Sequence, residues 1–155
     1  RKFLPKAVLR TTVMVGFPGE TAADFETLCQ FVKDIKFHHL GCFVFSPEQG
    51  TAAYEMDDPV PEVIASERYD VIMSIQKEIT AAHNKALIGK ERSFLVEGVA
   101  DDGIFYVGRI PEQAPEIDSM TYVASEIVLT RGQRYPITIV EAEAYELTGV
   151  CSEFT

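Results

Sequence analysis

The spacing of apolar residues changes near Gly89, and this change divides the chain into two pieces of different fold class. Before it, strand-like stretches alternate with stretches that carry apolar residues at helical spacing. After it, five short segments rich in β-branched and aromatic residues follow one another, with turn residues between them. The pattern predicts an α/β piece over residues 1–88 and a small all-β barrel over residues 89–155.

The first piece carries the signals of a strand, a helix and a second strand. Val8–Val15 is β-branched and apolar at its end, which is typical of a strand covered on both faces. Thr21–Lys36 begins with a capping residue and continues at helical spacing, and Leu40–Phe45 is a second apolar strand. This order predicts a parallel βαβ unit. Pro61 then opens a long amphipathic helix, which we expect to end at Gly89 as its cap.

The second piece reads as strands joined by turns. Asp101, Asp102 and Gly103 form the clearest hairpin turn. The five predicted strands are Ser93–Gly98, Ile104–Gly108, Thr121–Val123, Tyr135–Val140 and Ala144–Gly149. So many short strands in so short a stretch favour a closed barrel over a sandwich.

Charge and hydropathy each exclude one class of function. Acidic residues outnumber basic residues by 24 to 14, and residues 89–155 hold 12 acidic against 5 basic, a net charge of −7. Such a surface repels phosphate, so nucleic acid is not expected as a direct ligand. No apolar run approaches the roughly 20 residues of a membrane-spanning helix, so no membrane role is expected.

The cysteines indicate a reducing setting. Cys29, Cys42 and Cys151 are too widely spaced for a disulfide framework or for a zinc site of paired ligands. Buried or half-buried free thiols in a cytoplasmic protein are the simplest interpretation, and we predict no metal site. The chain begins at Arg1 with neither an initiator Met nor the apolar core of a signal peptide, so we expect it to come from within a longer polypeptide.

Two turns carry the best indications of a binding site. Gly16–Glu20 follows the first strand and Phe45-Ser46 closes the second, so both are expected at the carboxyl ends of parallel strands, where α/β proteins bind ligands. Glycine lets the backbone approach a ligand closely. A tight strand-to-helix turn capped by Thr21 explains the same residues without any ligand. The sequence has no nucleophile elbow and no phosphate-binding loop, so no catalytic residue is predicted.

Three motifs make the chain similar to a known family. Arg10–Thr12 leads into Val15–Thr21, Phe45–Thr51 follows the second strand, and Glu67–Asp70 lies in the long helix. Together they resemble the C-terminal half of the radical S-adenosylmethionine (SAM) core of the methylthiotransferases, and the β-rich tail resembles the TRAM domain that follows that core. The resemblance implies a partial parallel β/α barrel of the radical SAM type, followed by a small five-stranded OB-like barrel.

A second set of residues resembles one branch of that family. Val107-Gly108-Arg109 followed by Ala114–Asp118 is similar to the RimO-type branch, which adds a methylthio group to the β-carbon of an aspartate in a small-subunit ribosomal protein. The resemblance implies that Arg109, Glu116 and Asp118 help to dock the substrate. An acidic tail suits this branch, because complementary charge speeds the encounter with a basic ribosomal protein.

The resemblance also implies cofactors. Members of the family use SAM and two 4Fe-4S clusters, and a cluster needs closely spaced thiolates. The cysteines of this chain lack that spacing, so the parent enzyme is expected to hold both clusters elsewhere and this portion alone is expected to be inactive. By resemblance, one wall of the SAM site comes from Gly16, Phe17, Pro18, Gly19, Glu20, Phe45 and Ser46.

Two alternatives to this interpretation stay open. One is a fragment of the MiaB-type tRNA adenosine methylthiotransferases, which the acidic tail and Ala114–Asp118 disfavour. The other is a non-catalytic binding module that contains a TRAM domain. A parallel sheet with open strand edges can also pair with another chain, so a dimer is a further expectation.

Overall fold

The computed structural model describes Phe3 and residues 7–151. Its contacts divide the chain into two compact units, Arg1–Thr80 and Ala81–Thr155. The boundary predicted from the change in period, after residue 88, falls eight residues later and stays a prediction. No helix among the described residues is long and apolar enough to cross a membrane.

The first unit is built on two parallel strands. β1 (Arg10–Val15) pairs with β2 (His39–Val44) in a two-stranded sheet, with Val15 opposite Val44 at its end. α1 (Ala22–Ile35) connects the strands, so the predicted parallel βαβ arrangement is confirmed. Two strands do not close a barrel, and a larger barrel of the radical SAM type therefore stays a prediction.

The capping box predicted at the start of α1 is present. The backbone N–H of Asp24 donates to Thr21 Oγ1 at 3.2 Å, and the N–H of Thr21 donates to Asp24 Oδ2 at 3.0 Å. The Thr21 hydroxyl, which donates to Asp24 Oδ2 at 2.6 Å, and the Thr21 backbone N–H lower the pKa of the Asp24 carboxyl. The helix ends at Lys36, which adopts the left-handed conformation at φ 54°. Both ends of α1 thus follow from local sequence.

The long helix, α2 (Glu62–Lys85), follows a short 3₁₀ helix over Ala52–Glu55. The prediction that α2 reaches Gly89 is wrong: the helix ends at Lys85, and the Gly89 N–H donates to the Ile139 carbonyl at 2.8 Å. The Gly89 N–H is therefore bonded to a strand of the barrel. Its φ of 76° serves the connection into the barrel and not a helix cap.

The buried face of α2 includes two polar residues. Gln76 is 2% exposed, and its Nε2 donates to the Phe37 carbonyl at 3.0 Å and to Thr80 Oγ1 at 2.9 Å. The first bond satisfies a backbone carbonyl just before β2, which explains why a polar side chain replaces an apolar one there. The buried core of this unit consists of Val15, Val32, Phe37, Leu40, Cys42 and Ile72.

The second unit is a closed five-stranded barrel, as predicted. Its strands are β3 (Glu91–Val99), β4 (Tyr106–Arg109), β5 (Thr121–Ser125), β6 (Arg134–Ala142) and β7 (Leu147–Cys151). They pair in the order β3-β4-β5-β7-β6, and the β5–β7 pair is parallel while the other pairs are antiparallel. The buried core consists of Phe94, Val96, Ile110, Val123, Leu129, Ile137, Ile139, Leu147 and Cys151.

Candidate functional site

The two turns predicted to form a binding edge leave the sheet side by side. Val15 is opposite Val44 at the ends of the parallel strands, and the N–H of Phe45 donates to the Val15 carbonyl at 2.9 Å. The rings of Phe17 and Phe45 meet edge to face, with centroids 5.1 Å apart at 69°. Such a pair contributes roughly 0.5–1.5 kcal/mol beyond its buried area. The structure thus brings together the residues predicted from both turns.

The first turn, Gly16–Glu20, is compact. The N–H of Glu20 donates to the Phe17 carbonyl at 2.9 Å, and Pro18 between them is buried. The N–H of Gly19 donates to the Asp58 carbonyl, also at 2.9 Å. Glycine is favoured at positions 16 and 19 because the backbone is left-handed there, with φ 77° at Gly16 and 82° at Gly19.

Glu20 holds this turn to α2. Its Oε2 accepts a hydrogen bond from the Gly16 N–H and forms an ion pair with Arg68 Nη1 at 3.2 Å. Arg68 Nη1 also donates to the Glu20 carbonyl at 3.1 Å, and its guanidinium lies over the Phe25 ring, 5.4 Å from the centroid. The two charged side chains are only 11% and 12% exposed. Sequence reasoning placed Arg68 in a family motif but did not assign it this contact.

Removing Arg68 should therefore weaken the first unit. Arg68→Met would leave the Glu20 carboxylate poorly solvated and unpaired, and we expect a loss of about 2 kcal/mol in the free energy of unfolding. Glu20→Gln in the same chain should restore part of it, because no charge is then left unpaired. Urea unfolding followed by circular dichroism measures both changes. A double variant as unstable as the sum of the single variants would contradict the coupling.

The edge can offer a ligand mostly apolar contact. The amides of Gly16, Gly19, Glu20 and Phe45 are already bonded within the protein. Phe17 is 40% exposed and the Ser46 side chain is exposed. These residues fit one side of a bound nucleoside, because aromatic rings cover a flat base while a hydroxyl can bond to a polar atom. A contact between Glu20 and a cofactor stays a prediction, since its Oε2 is engaged within the turn.

The cysteines do not fit an iron–sulfur cluster. No three His, Cys, Asp or Glu side chains among the described residues lie close enough to hold a metal ion. Burial raises the pKa of the thiols of Cys29 and Cys151, and burial together with the charge of Glu20 raises the pKa of Cys42 to about 11. A cluster needs several thiolates close together, and the three cysteines are not grouped in that way.

The predicted docking residues lie in the barrel unit, and two of them have intramolecular partners. Arg109, the last residue of β4, donates from Nε to Glu97 Oε1 at 2.6 Å. Asp118 Oδ2 accepts a hydrogen bond from the Ala114 N–H at 2.6 Å, within the loop between β4 and β5. Glu116 is exposed in the same loop at φ 63°. The structure brings Glu116 and Asp118 into one loop, and the docking role of all three residues stays a prediction.

Comparison with known proteins gives a consistent match over nearly the whole chain. Residues 88–151 match the family model of the TRAM domain. A protein of Thermosynechococcus vestitus named ribosomal protein uS12 methylthiotransferase RimO is 43% identical over 150 residues, covering 97% of this chain and 33% of the relative. Proteins of the same name are 40% identical in Actinobacillus pleuropneumoniae, over 97% of this chain and 34% of the relative, and 41% identical in Aquifex aeolicus, over 96% and 35%. The chain spans about a third of the length of these curated relatives.

Proposed function

Because this chain belongs to the RimO family, we propose that it forms part of an enzyme that adds a methylthio group to an aspartate of a small-subunit ribosomal protein. The observation that supports this most directly is identity of 40–44% to proteins named as uS12 methylthiotransferases, sustained over nearly the whole chain. The parent would be a radical SAM enzyme whose clusters are bound by other parts of the polypeptide. A cytoplasmic location is part of the proposal, supported by the three free thiols of the chain, of which those of Cys42 and Cys151 are buried.

In this proposal the first unit provides one wall of the SAM site. SAM, when bound, supplies the radical chemistry of the family. Phe17 and Phe45 would pack against it and exclude water, and Ser46 would offer a hydroxyl at the same edge. Glu20 and Arg68 would hold the turn in place. The proposed contribution of the unit is orientation, since the Glu20 carboxylate at this edge is already bonded to the Gly16 N–H and paired with Arg68.

The outer edges of the first unit's sheet suggest how it is completed. Among the described residues, β1 and β2 pair only with each other, so one edge of each strand is open. Open edges pair readily with further strands. We propose that other strands of the parent fill these positions, and that a second copy of the chain does so in their absence.

The charge of the barrel unit favours a protein as its partner. The 12 acidic against 5 basic residues after residue 88 give a field that attracts a cationic protein and repels phosphate. A tRNA substrate is therefore not favoured, and the TRAM domain here is proposed to dock protein.

A binding experiment with the full chain tests this proposal. Fluorescence anisotropy should detect binding to labelled uS12 of Thermosynechococcus vestitus, and the affinity should fall about tenfold between 50 and 300 mM salt, because screening weakens exposed charge pairs. Labelled tRNA at the same concentrations serves as the comparison and should bind far more weakly. Tighter binding to tRNA than to uS12 would contradict the proposal and favour a tRNA-modifying enzyme.

A further inference from the structure

Two connections of the barrel emerge at the same end. β5 and β7 are parallel neighbours with Thr121 opposite Leu147, so the residues that precede these strands lie side by side. Those residues belong to the loop 110–120 and to the hairpin 143–146. We call this end of the barrel, formed by both connections, the acidic end.

The loop 110–120 is held in one conformation by its own side chains. Gln113 Oε1 accepts hydrogen bonds from the Ile110 N–H at 3.0 Å and from Thr121 Oγ1 at 2.8 Å, while its Nε2 donates to the Ser119 carbonyl at 2.7 Å. The Asp118 carboxylate closes the loop onto the Ala114 N–H. Ile117, at the tip of this braced loop, is 75% exposed.

The hairpin 143–146 is braced independently. The N–H of Glu143 donates to the Glu146 carbonyl at 2.8 Å, which closes the turn. Asn84 Nδ2 donates to the Glu143 carbonyl at 2.8 Å and to the Ala144 carbonyl at 3.1 Å. Tyr145, at the tip, keeps 51% of its surface exposed. Both connections therefore present a large apolar or aromatic side chain on a fixed backbone.

Charge distinguishes this end of the barrel from the other. Glu116, Glu143 and Glu146 are exposed around Ile117 and Tyr145. At the opposite end, the turn 100–105 carries the exposed residues Asp101, Asp102 and Ile104, and the loop between β5 and β6 carries Glu126, Val128 and Arg131, with Arg134 at the start of β6. The charged side chains of the two connections at the acidic end are thus all carboxylates, whereas the two connections at the opposite end carry carboxylates together with Arg131.

We propose that the acidic end is the surface on which a basic protein segment docks. Ile117 and Tyr145 act as the apolar anchors, and the surrounding glutamates select lysine or arginine in the segment by complementary charge. The bracing of both connections lowers the entropy lost on binding, because little has to be ordered when the partner arrives. The identity of that partner as a ribosomal protein rests on the proposed function.

Alanine substitutions in the full chain test the surface, with labelled uS12 of Thermosynechococcus vestitus as the probe at 100 mM salt. Ile117→Ala and Tyr145→Ala should each weaken binding about five- to tenfold, the usual effect of truncating an anchor. Val128→Ala is the matched control, because Val128 is 86% exposed at the other end of the barrel and should change the affinity less than about twofold. Circular dichroism of each variant verifies that the exposed substitutions leave the fold intact.

Charge variants give a second readout that packing alone would not change. Glu116→Gln combined with Glu146→Gln should flatten the dependence of affinity on salt, whereas Glu126→Gln should leave it unaltered. If uS12 binds but Val128→Ala weakens it as much as Ile117→Ala, the acidic end is not the docking surface and the proposed function stands. If the chain binds tRNA in preference to uS12, both proposals fail. If it binds neither, the docking surface is disproved.

Discussion

Gly108→Ala is expected to destabilise the barrel by about 4 kcal/mol, among the largest effects of a single methyl group. A Cβ at this position would lie 2.0 Å from the Leu95 carbonyl oxygen and 2.9 Å from two ring carbons of Phe94. Both neighbours belong to β3, which pairs directly with β4, so relief requires the strands to separate. Phe94 is fully buried in the barrel core and cannot move aside. Hydrogen exchange measured by mass spectrometry at increasing urea concentration gives the stability of each barrel segment separately.

Gly98→Ala provides a control in the same pair of strands. A Cβ there would meet only Val107 Cγ2 at 3.6 Å, an ordinary contact, so we expect a change within about 1 kcal/mol. Phe94→Leu added to Gly108→Ala should not rescue the barrel, because the contact with the Leu95 carbonyl remains. A Gly108→Ala variant no less stable than Gly98→Ala would show that β3 and β4 are not packed as described.

The contrast between these glycines marks a limit of sequence reasoning. Gly108 belongs to a motif that resembles the RimO-type branch, and that resemblance gives it no packing role, because its contact with Phe94 depends on strand pairing between different segments of the chain. The number of strands and their approximate bounds could be predicted, because alternation and turn residues are local signals. The parallel pairing of β5 with β7 that closes the barrel could not, since no local signal specifies which strands meet.

The helices show the same division between local and tertiary causes. The capping box of Thr21 and Asp24 was predictable because both partners lie within one turn. The stripe on α2 was predicted as apolar, yet Gln76 is buried because it satisfies carbonyl oxygens at the start of β2. Such a residue violates the hydrophobic pattern for a reason that is visible only after the helix has docked on the sheet.

The candidate site also combines a contact that could be predicted from the sequence with one that could not. The meeting of Phe17 and Phe45 followed from a topological rule, since parallel neighbouring strands end at one edge of a sheet. The partnership of Glu20 with Arg68 did not, because 48 residues separate them and charge alone offers many possible pairs. Sequence reasoning therefore identified Phe17, Phe45 and Glu20 as residues of the edge but missed the contact with Arg68 that holds the turn in place.

Gly16→Ala is expected to destabilise the first unit by about 3 kcal/mol, and it tests how the edge is built. The substitution adds the strain of a side chain at φ 77° to a clash with Ala65, whose Cβ would lie 2.6 Å from the new Cβ. The position is confined because the Gly16 N–H donates to Glu20 and the turn is held to α2 through Arg68. Urea unfolding followed by far-ultraviolet circular dichroism measures the loss.

Gly19→Ala and a double variant separate the two causes. Gly19 has φ 82° but open space around its Cβ position, so Gly19→Ala should cost only the backbone strain, about 1 kcal/mol. Adding Ala65→Gly to Gly16→Ala removes the clashing methyl group and should recover part of the lost stability. The recovery is incomplete because glycine inside a helix itself costs roughly 1 kcal/mol. If Gly16→Ala and Gly19→Ala cost the same, α2 does not lie against the turn. The edge formed by Phe17 and Phe45 would then lack the support that fixes it for a ligand.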